Sequence, residues 1–235
     1  MKINSPYTDI SQLPPGSIVG TSSVRRSAQL TRAFPHLQFH DVRGNIGTRL
    51  SKLDNPENSY SCLILAAAGL LRLDLEPRIT HYLSSPLVLH AVGQGALGVE
   101  TRTDNPEIER LVETLIHKPT HLKCLAERSL MRTLEGGCSV PIGVETRFLS
   151  ESEPFQTQTQ ANPPKQSNPA GIEMKATVVS IDGSKASTVS VTSEHPITTE
   201  EQADEFGRVV ARRLVEEGAG EILKGIELNR AIVDA

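Results

Sequence analysis

Apolar and polar positions change period several times along the chain, and the changes divide it into units. The run Ser17-Ile18-Val19-Gly20 follows the turn signal Pro14-Pro15-Gly16, so residues 1–15 read as a polar lead-in linker ahead of a short strand. Thr21-Ser22-Ser23 then supplies N-cap hydroxyls for a helix of roughly ten residues that must stop before Pro35. Leu37 to Val42 alternates as a second strand, and Asn45 or Thr48 opens a second helix ending near Pro56. Ser61 to Ala66 is apolar enough to predict a strand buried on both faces, followed by a short helix over 67–73. Strand–helix alternation at this spacing predicts a parallel α/β sheet, with ligands expected beyond the carboxyl ends of its strands.

The second half has a different rhythm. Ala91 to Gly98 carries three glycines, Gly93, Gly95 and Gly98, and predicts a hinge or a close backbone approach to a ligand. Asn105-Pro106 starts a helix running to about His117. Leu122, Leu125, Ala126, Leu130 and Leu134 mark a helix over 119–134, with Gly136 and Gly137 as its stop. A strand is expected to start at Val140–Val144, and the Ser/Gln/Pro/Thr/Asn-rich stretch 150–170 reads as a disordered insertion. Residues 173–180 and 185–192 predict a hairpin across Asp182-Gly183. Thr198 with Glu201 predicts a capping box for a helix to about Glu217, stopped by Gly218, with Ala203, Phe206, Val210 and Leu214 as its buried stripe. The last third is therefore α+β.

Composition narrows the options. At 235 residues, with 37% hydrophobic and 22% charged side chains, the chain suits one large or two modest globular domains. No apolar run approaches the roughly 20 residues of a membrane span. Met1 to Pro6 has neither the apolar core of a secretory signal nor an arginine-rich transit pattern, so the expected location is cytoplasmic. Cys62, Cys124 and Cys138 make no zinc spacing, and no metal is expected. Cys62 and Cys124 sit in apolar patterns as packing residues.

Net charge is −4, yet residues 17–53 hold six Lys/Arg against the single acid Asp41. Overall acidity, and only Phe34 and Phe39 among these cations, speak against nucleic-acid binding. Arg25, Arg26, Arg32, Arg43 and Arg49 instead cluster at two predicted strand–turn–helix junctions. A cation in the first turn of a helix opposes the macrodipole by about 0.3–1 kcal/mol, so Arg25 and Arg26 predict an offsetting anion. Guanidinium forks suit several carboxylates, and phosphate fits equally by charge, although no phosphate-binding Gly-x-x-x-x-Gly-Lys loop is present. Cys138, in Glu135-Gly136-Gly137-Cys138-Ser139-Val140-Pro141, stands between two readings: a buried inert thiol, or one given room by two glycines for a bulky covalent partner.

Glu127-Arg128, Leu130 and Leu134 to Gly143 together resemble the cofactor-attachment signature of the porphobilinogen deaminase (hydroxymethylbilane synthase) family. Gly20 to Arg26, Arg43-Gly44-Asn45, Thr48-Arg49-Leu50, Ala91 to Gly98 and the Asp182-Gly183 hairpin match that family in order, over about residues 16–225 outside the insertion. The resemblance implies a three-domain monomer with a periplasmic-binding-protein-like α/β architecture. In that scheme 16–90 is the second domain, 91–117 a hinge and return segment of an incomplete first domain, and 118–235 the C-terminal α+β domain. It implies stepwise condensation of four porphobilinogen units into hydroxymethylbilane with release of ammonia, in tetrapyrrole (heme) biosynthesis. It also implies a dipyrromethane cofactor tethered by thioether to Cys138 and lined by Ser23, Arg25, Arg26, Arg43 and Gly44. Arg49 and Arg72 would bind substrate and the growing oligopyrrole.

The family's catalytic aspartate, in a Lys-Asp pair of the first domain, has no counterpart here, and neither Asp41 nor Asp54 stands in a matching motif. The chain alone is therefore expected not to turn over porphobilinogen at a useful rate, and the apolar side of the return segment is expected to be exposed or repacked. A reading from another class is a non-catalytic α/β module that binds polycarboxylates, for which the Gly-Gly-Cys loop would be superfluous.

Overall fold

The computed structural model describes residues 1–2, 4–134, 140–149 and 171–233, with side chains described up to Ile226. The chain opens with strand–helix alternation: β1 (Ile18–Gly20), α1 (Val24–Ala33), β2 (Gln38–His40), α2 (Ile46–Asp54), β3 (Tyr60–Leu63) and α3 (Ala67–Leu71). All pairings in this sheet are parallel and the order is β2-β1-β3, with Gly20 opposite His40 and Leu63 at the carboxyl end. Side chains crowd Gly20: a Cβ there would meet the end of Leu63 and stand 3.1 Å from Tyr60 Cδ1 and Val42 Cγ1, so those side chains would have to shift. Ser23 caps α1 by accepting from the Arg26 N–H at 3.3 Å, and Asn45 caps α2 by accepting from the Thr48 N–H at 2.8 Å.

Two expectations for this half are corrected. Residues 1–15 are not a free linker. Asp9 and Gln12 form a reciprocal capping box around a 3₁₀ turn, which delivers Ile10 and Leu13 into the core with Val19, Leu30, Leu37, Cys62 and Val88. Nor is β3 buried on both faces. It pairs only with β1, and of its four residues only Cys62 is buried.

The second sheet is antiparallel, order β4-β5-β6, from β4 (Ile142–Phe148), β5 (Ile172–Val179) and β6 (Ala186–Thr192). Helices α5 (Lys118–Thr133), α6 (Glu200–Glu216) and α7 (Ala219–Val233) pack with it around one core that includes Leu130, Val144, Ile172, Met174, Val210 and Leu214. The cap of α6 lies one residue later than expected, at Thr199 with Gln202, because Gln202 reaches back to the Thr199 N–H at 3.1 Å. Helix α7 was not anticipated. Gly218, at φ 96°, ends α6 as expected, but the chain resumes a helix at once and buries Ile222 and Ile226.

Residues 87–90 tie the two sheets together. Leu89 donates its N–H to Gln29 Oε1 of α1 at 2.8 Å, while His90 exchanges two 2.8 Å backbone hydrogen bonds with Val144 of β4. At the far end of α1, Arg32 Nη1 donates to the Gly183 and Ser184 carbonyls, each at 3.2 Å, locking the β5–β6 turn onto the helix. Gly183 is needed for this approach: its φ is 72°, and a Cβ would lie 2.7 Å from the Arg32 nitrogen. Beyond the glycine loop, α4 (Pro106–Glu113) and its flanks leave Leu97, Val99, Ile108, Leu111, Leu115 and Ile116 exposed. Among the described residues no helix is long and apolar enough to cross a membrane.

Candidate functional site

The carboxyl ends of β1 and β2 lead directly into the arginine-bearing turns. Thr21 N–H donates to the His40 carbonyl at 2.9 Å and Ser22 Oγ to the Val42 carbonyl at 2.5 Å, so the two turns lie side by side. Ser23 is used as the α1 cap, which fixes the first helical turn and with it the origins of Arg25 and Arg26. That turn carries no acidic residue.

Arg25 is only 7% exposed and Arg26 is half-buried, yet among the described residues neither forms an ion pair. Their partners are neutral oxygens. Arg25 Nη1 donates to the Leu89 carbonyl, which also accepts from Gln29 Nε2 at 3.2 Å. Arg26 Nη1 donates to the Ile64 carbonyl at 3.1 Å, just past β3, and Nη2 to Gln94 Oε1 at 3.5 Å. Burial, reinforced by the charge of Arg26, pushes Arg25 down to about 10. Burial and then the charge of Arg49 also lower the pKa of Arg26. His90 is lowered in turn, chiefly by burial, with Arg25 and Arg26 adding to the effect against Glu145. Arg25, Arg26 and Arg49 thus share one positive field, at the end of the sheet where an α/β fold binds ligands.

Gly44 aims Arg49. With φ 119° and a Cβ position 2.9 Å from Thr48 Cγ2, it admits no side chain, and its carbonyl accepts from Arg49 Nε at 2.7 Å. Arg43 sits apart on the rim: its side chain is 83% exposed and Nε donates to Asp41 Oδ2 at 2.6 Å, a surface pair of small energetic weight. Arg72 caps the end of α3, exposed, with Nη2 donating to the Gly95 carbonyl at 3.3 Å. Arg32, expected in the same cluster, serves the contact with the β5–β6 turn instead. The two acids considered for catalysis are both engaged: Asp41 by Arg43, and Asp54 by both terminal nitrogens of Arg78 at 2.8 and 3.0 Å.

Residues that pattern alone did not mark complete the site. Gln29 and the Leu89 carbonyl hold Arg25, and Glu127 of α5 accepts from the Gly93 N–H at 2.7 Å, fixing the glycine loop beside Arg26 and Arg72. The glycines mark the loop in the sequence, but which side chains pin it is visible only in the fold. Cys138 and the expected insertion at 150–170 lie outside the described residues. The thiols that are described suit no covalent role, since burial pushes Cys62 up to about 11 and also raises Cys124. For a dipyrromethane, whose pyrroles carry acetate and propionate, the fit is in the donor set: guanidinium groups, partly desolvated, without carboxylate partners.

Comparison with known proteins agrees with this chemistry. Residues 2–110 match the family model described as porphobilinogen deaminase, dipyromethane cofactor binding domain, and residues 121–216 match porphobilinogen deaminase, C-terminal domain. The chain is 48% identical over 229 residues to porphobilinogen deaminase of Yarrowia lipolytica, covering 97% of this chain and 62% of the relative. It is 47% identical over 223 residues to that of Schizosaccharomyces pombe, covering 95% and 62%. It is 46% identical over 228 residues to that of a Synechococcus species, covering 97% and 64%. The chain thus spans less than two thirds of the length of these relatives.

Proposed function

Because the chain belongs to the porphobilinogen deaminase family, we propose that it serves hydroxymethylbilane synthesis by holding the carboxylates of a covalent dipyrromethane and of the oligopyrrole that grows from it. The observation that carries this reading is a partly buried group of cations, Arg25, Arg26 and Arg49, whose acceptors are carbonyl and amide oxygens rather than carboxylates. An arriving carboxylate exchanges neutral acceptors for charge-assisted hydrogen bonds, which are roughly twice as strong. Such an exchange also relieves the repulsion among the arginines and with the α1 macrodipole.

When bound, the cofactor supplies the nucleophilic pyrrole carbon onto which porphobilinogen units add with loss of ammonia. Within that scheme Ser23 holds the first turn of α1 in register, Arg25 and Arg26 neutralise the buried carboxylates, and Gly44 orients Arg49. Arg43 and Arg72 serve at the rim, and the Cys138 thiol is the covalent anchor. Since Asp41 and Asp54 are committed to Arg43 and Arg78, holding the pyrrole chain is the part of the reaction assigned to the described residues. The reading carries with it a monomeric, cytoplasmic protein that acts on porphobilinogen, with neither nucleic acid nor membrane as partner.

Two measurements on the 235-residue chain test it. Intact mass is expected to show a dipyrromethane adduct that Cys138→Ala abolishes. Calorimetric titration of Cys138→Ala with a free dipyrromethane tetracarboxylate is expected to give binding that Arg26→Ala weakens about ten-fold or more, as loss of one charge-assisted bond requires. Equal affinity for the tetramethyl ester, or no effect of Arg26→Ala, would overturn the reading. An unmodified wild-type chain that still binds the tetracarboxylate would favour a non-catalytic polycarboxylate module.

A further inference from the structure

The glycine loop touches the arginine site at two consecutive residues and the C-terminal domain at the residue before them. Gln94 Oε1 accepts from Arg26 Nη2 at 3.5 Å, the Gly95 carbonyl accepts from Arg72 Nη2 at 3.3 Å, and the Gly93 N–H donates to Glu127 at 2.7 Å. Gly93 and Gly95 both hold positive φ, at 66° and 88°, with open space where a Cβ would stand. Val92, just before the loop, packs against the C-terminal core, whereas the ties of residues 94 and 95 to the arginines are these two hydrogen bonds.

We propose that Gln94 and the Gly95 carbonyl are internal stand-ins for ligand carboxylates on Arg26 and Arg72, and that they give way when an anion binds. Acceptor strength decides the competition. An amide oxygen at 3.5 Å is a weak acceptor for a guanidinium, and a backbone carbonyl at 3.3 Å on an exposed arginine is little better. A carboxylate offers a full charge and a second oxygen to the same planar fork. The loop's third tie, to Glu127 of α5, involves no cation of the site. Release from Arg26 and Arg72 therefore frees the loop from the α/β domain while leaving it attached to the C-terminal domain. Anion binding is thereby coupled to how tightly residues 93–95 bridge the two domains. This inference rests on the arginines being a carboxylate site.

The coupling has a sign that distinguishes it from Gln94 simply lining the pocket. If Gln94 competes with the ligand, deleting it raises the fraction of the protein ready to bind, and affinity increases by that fraction. For a weak neutral hydrogen bond the gain is about two- to three-fold. If Gln94 instead helps to hold the ligand, deletion weakens binding. The test is calorimetry with the free dipyrromethane tetracarboxylate on Cys138→Ala and on Cys138→Ala/Gln94→Ala, with hydrogen exchange at the Gln94, Gly95 and Ala96 amides. Expected are tighter binding to the Gln94→Ala protein and faster exchange at these amides in the ligand-bound parent. Unchanged or weaker binding, or slower exchange on binding, would overturn the inference while leaving the anion site intact. Failure of the parent to bind the tetracarboxylate at all would overturn both.

Discussion

Gly207→Ala sets two known effects against each other where α5 and α6 cross. Gly207 faces the backbone of α5: a Cβ there would run into the Ala126 carbonyl oxygen and stand 2.7 Å from Ser129 Cβ and 2.9 Å from the Leu130 nitrogen. Favourable carbon contacts lie at about 3.5–4.0 Å, so the helices must part by about 1 Å. Two of the three opposing atoms are main chain, and no rotamer change can absorb the difference. Separation loosens Ala126, Leu130, Ala203 and Val210, all fully buried, and lengthens the 2.6 Å bond from Ser129 Oγ to the Asp204 carbonyl. Overpacking of this kind costs about 3 kcal/mol, at the upper end of its usual range, because the obstacle is rigid. The intrinsic helix preference of alanine over glycine returns about 1 kcal/mol. The net expectation is a loss of about 2 kcal/mol, or about 1 M in urea midpoint at the m-value of a domain this size. Gly225→Ala in α7 meets nothing within 4 Å and isolates the second effect, so it is expected to raise the midpoint. A Gly207→Ala midpoint equal to or above wild type would refute the reasoning.

Two further outcomes are expected. Arg32→Ala removes both hydrogen bonds to the β5–β6 turn and should cost about 1 kcal/mol in urea unfolding while dipyrromethane tetracarboxylate binding is retained; lost binding would return Arg32 to the anion site. For Glu127, burial raises the carboxyl above its ordinary value of 4.5, against the Gly93 N–H, so the folded state holds its proton to higher pH than the unfolded chain does. That contribution is fully present below 4.5 and is lost as pH rises through the folded value. Wild-type stability relative to Glu127→Gln should therefore fall with rising pH across that window, and parallel curves would contradict it.

Much of the fold was legible because local signals and global packing agree. Ser23, Asn45 and Gly218 do what their side chains, or the lack of one, allow at helix ends. The misreadings share a physical origin. Ile10 and Leu13 lie in a polar stretch, and only a tertiary core shows that two apolar residues suffice to dock it. The apolar run after Ser61 fits a central strand, but an edge position with one partner leaves most of β3 half-exposed. Gly218 signals a left-handed residue, and a left-handed residue reverses a chain as readily into a new helix as into a loop.

The arginines were legible as a group but not as individuals, because an arginine's role is set by its acceptor. Those acceptors lie far away in sequence: Leu89 for Arg25, Ile64 for Arg26, and Gly183 and Ser184 for Arg32. The kind of acceptor decides what remains for a ligand. Asp41 pairs with Arg43 and Asp54 with Arg78, so each of these cations already holds a carboxylate. Carbonyl dipoles orient Arg25, Arg26 and Arg49 while leaving their charge intact. A site built this way keeps its geometry before a ligand arrives and its attraction for one, at the cost of burial, the main cause that lowers the pKa of Arg25 and Arg26, and of a lesser repulsion from the neighbouring arginine. That repulsion is what a polycarboxylate would relieve, and it grows with each arginine brought near. A chain that accumulates carboxylates as it lengthens therefore suits this group of arginines better than any singly charged ligand.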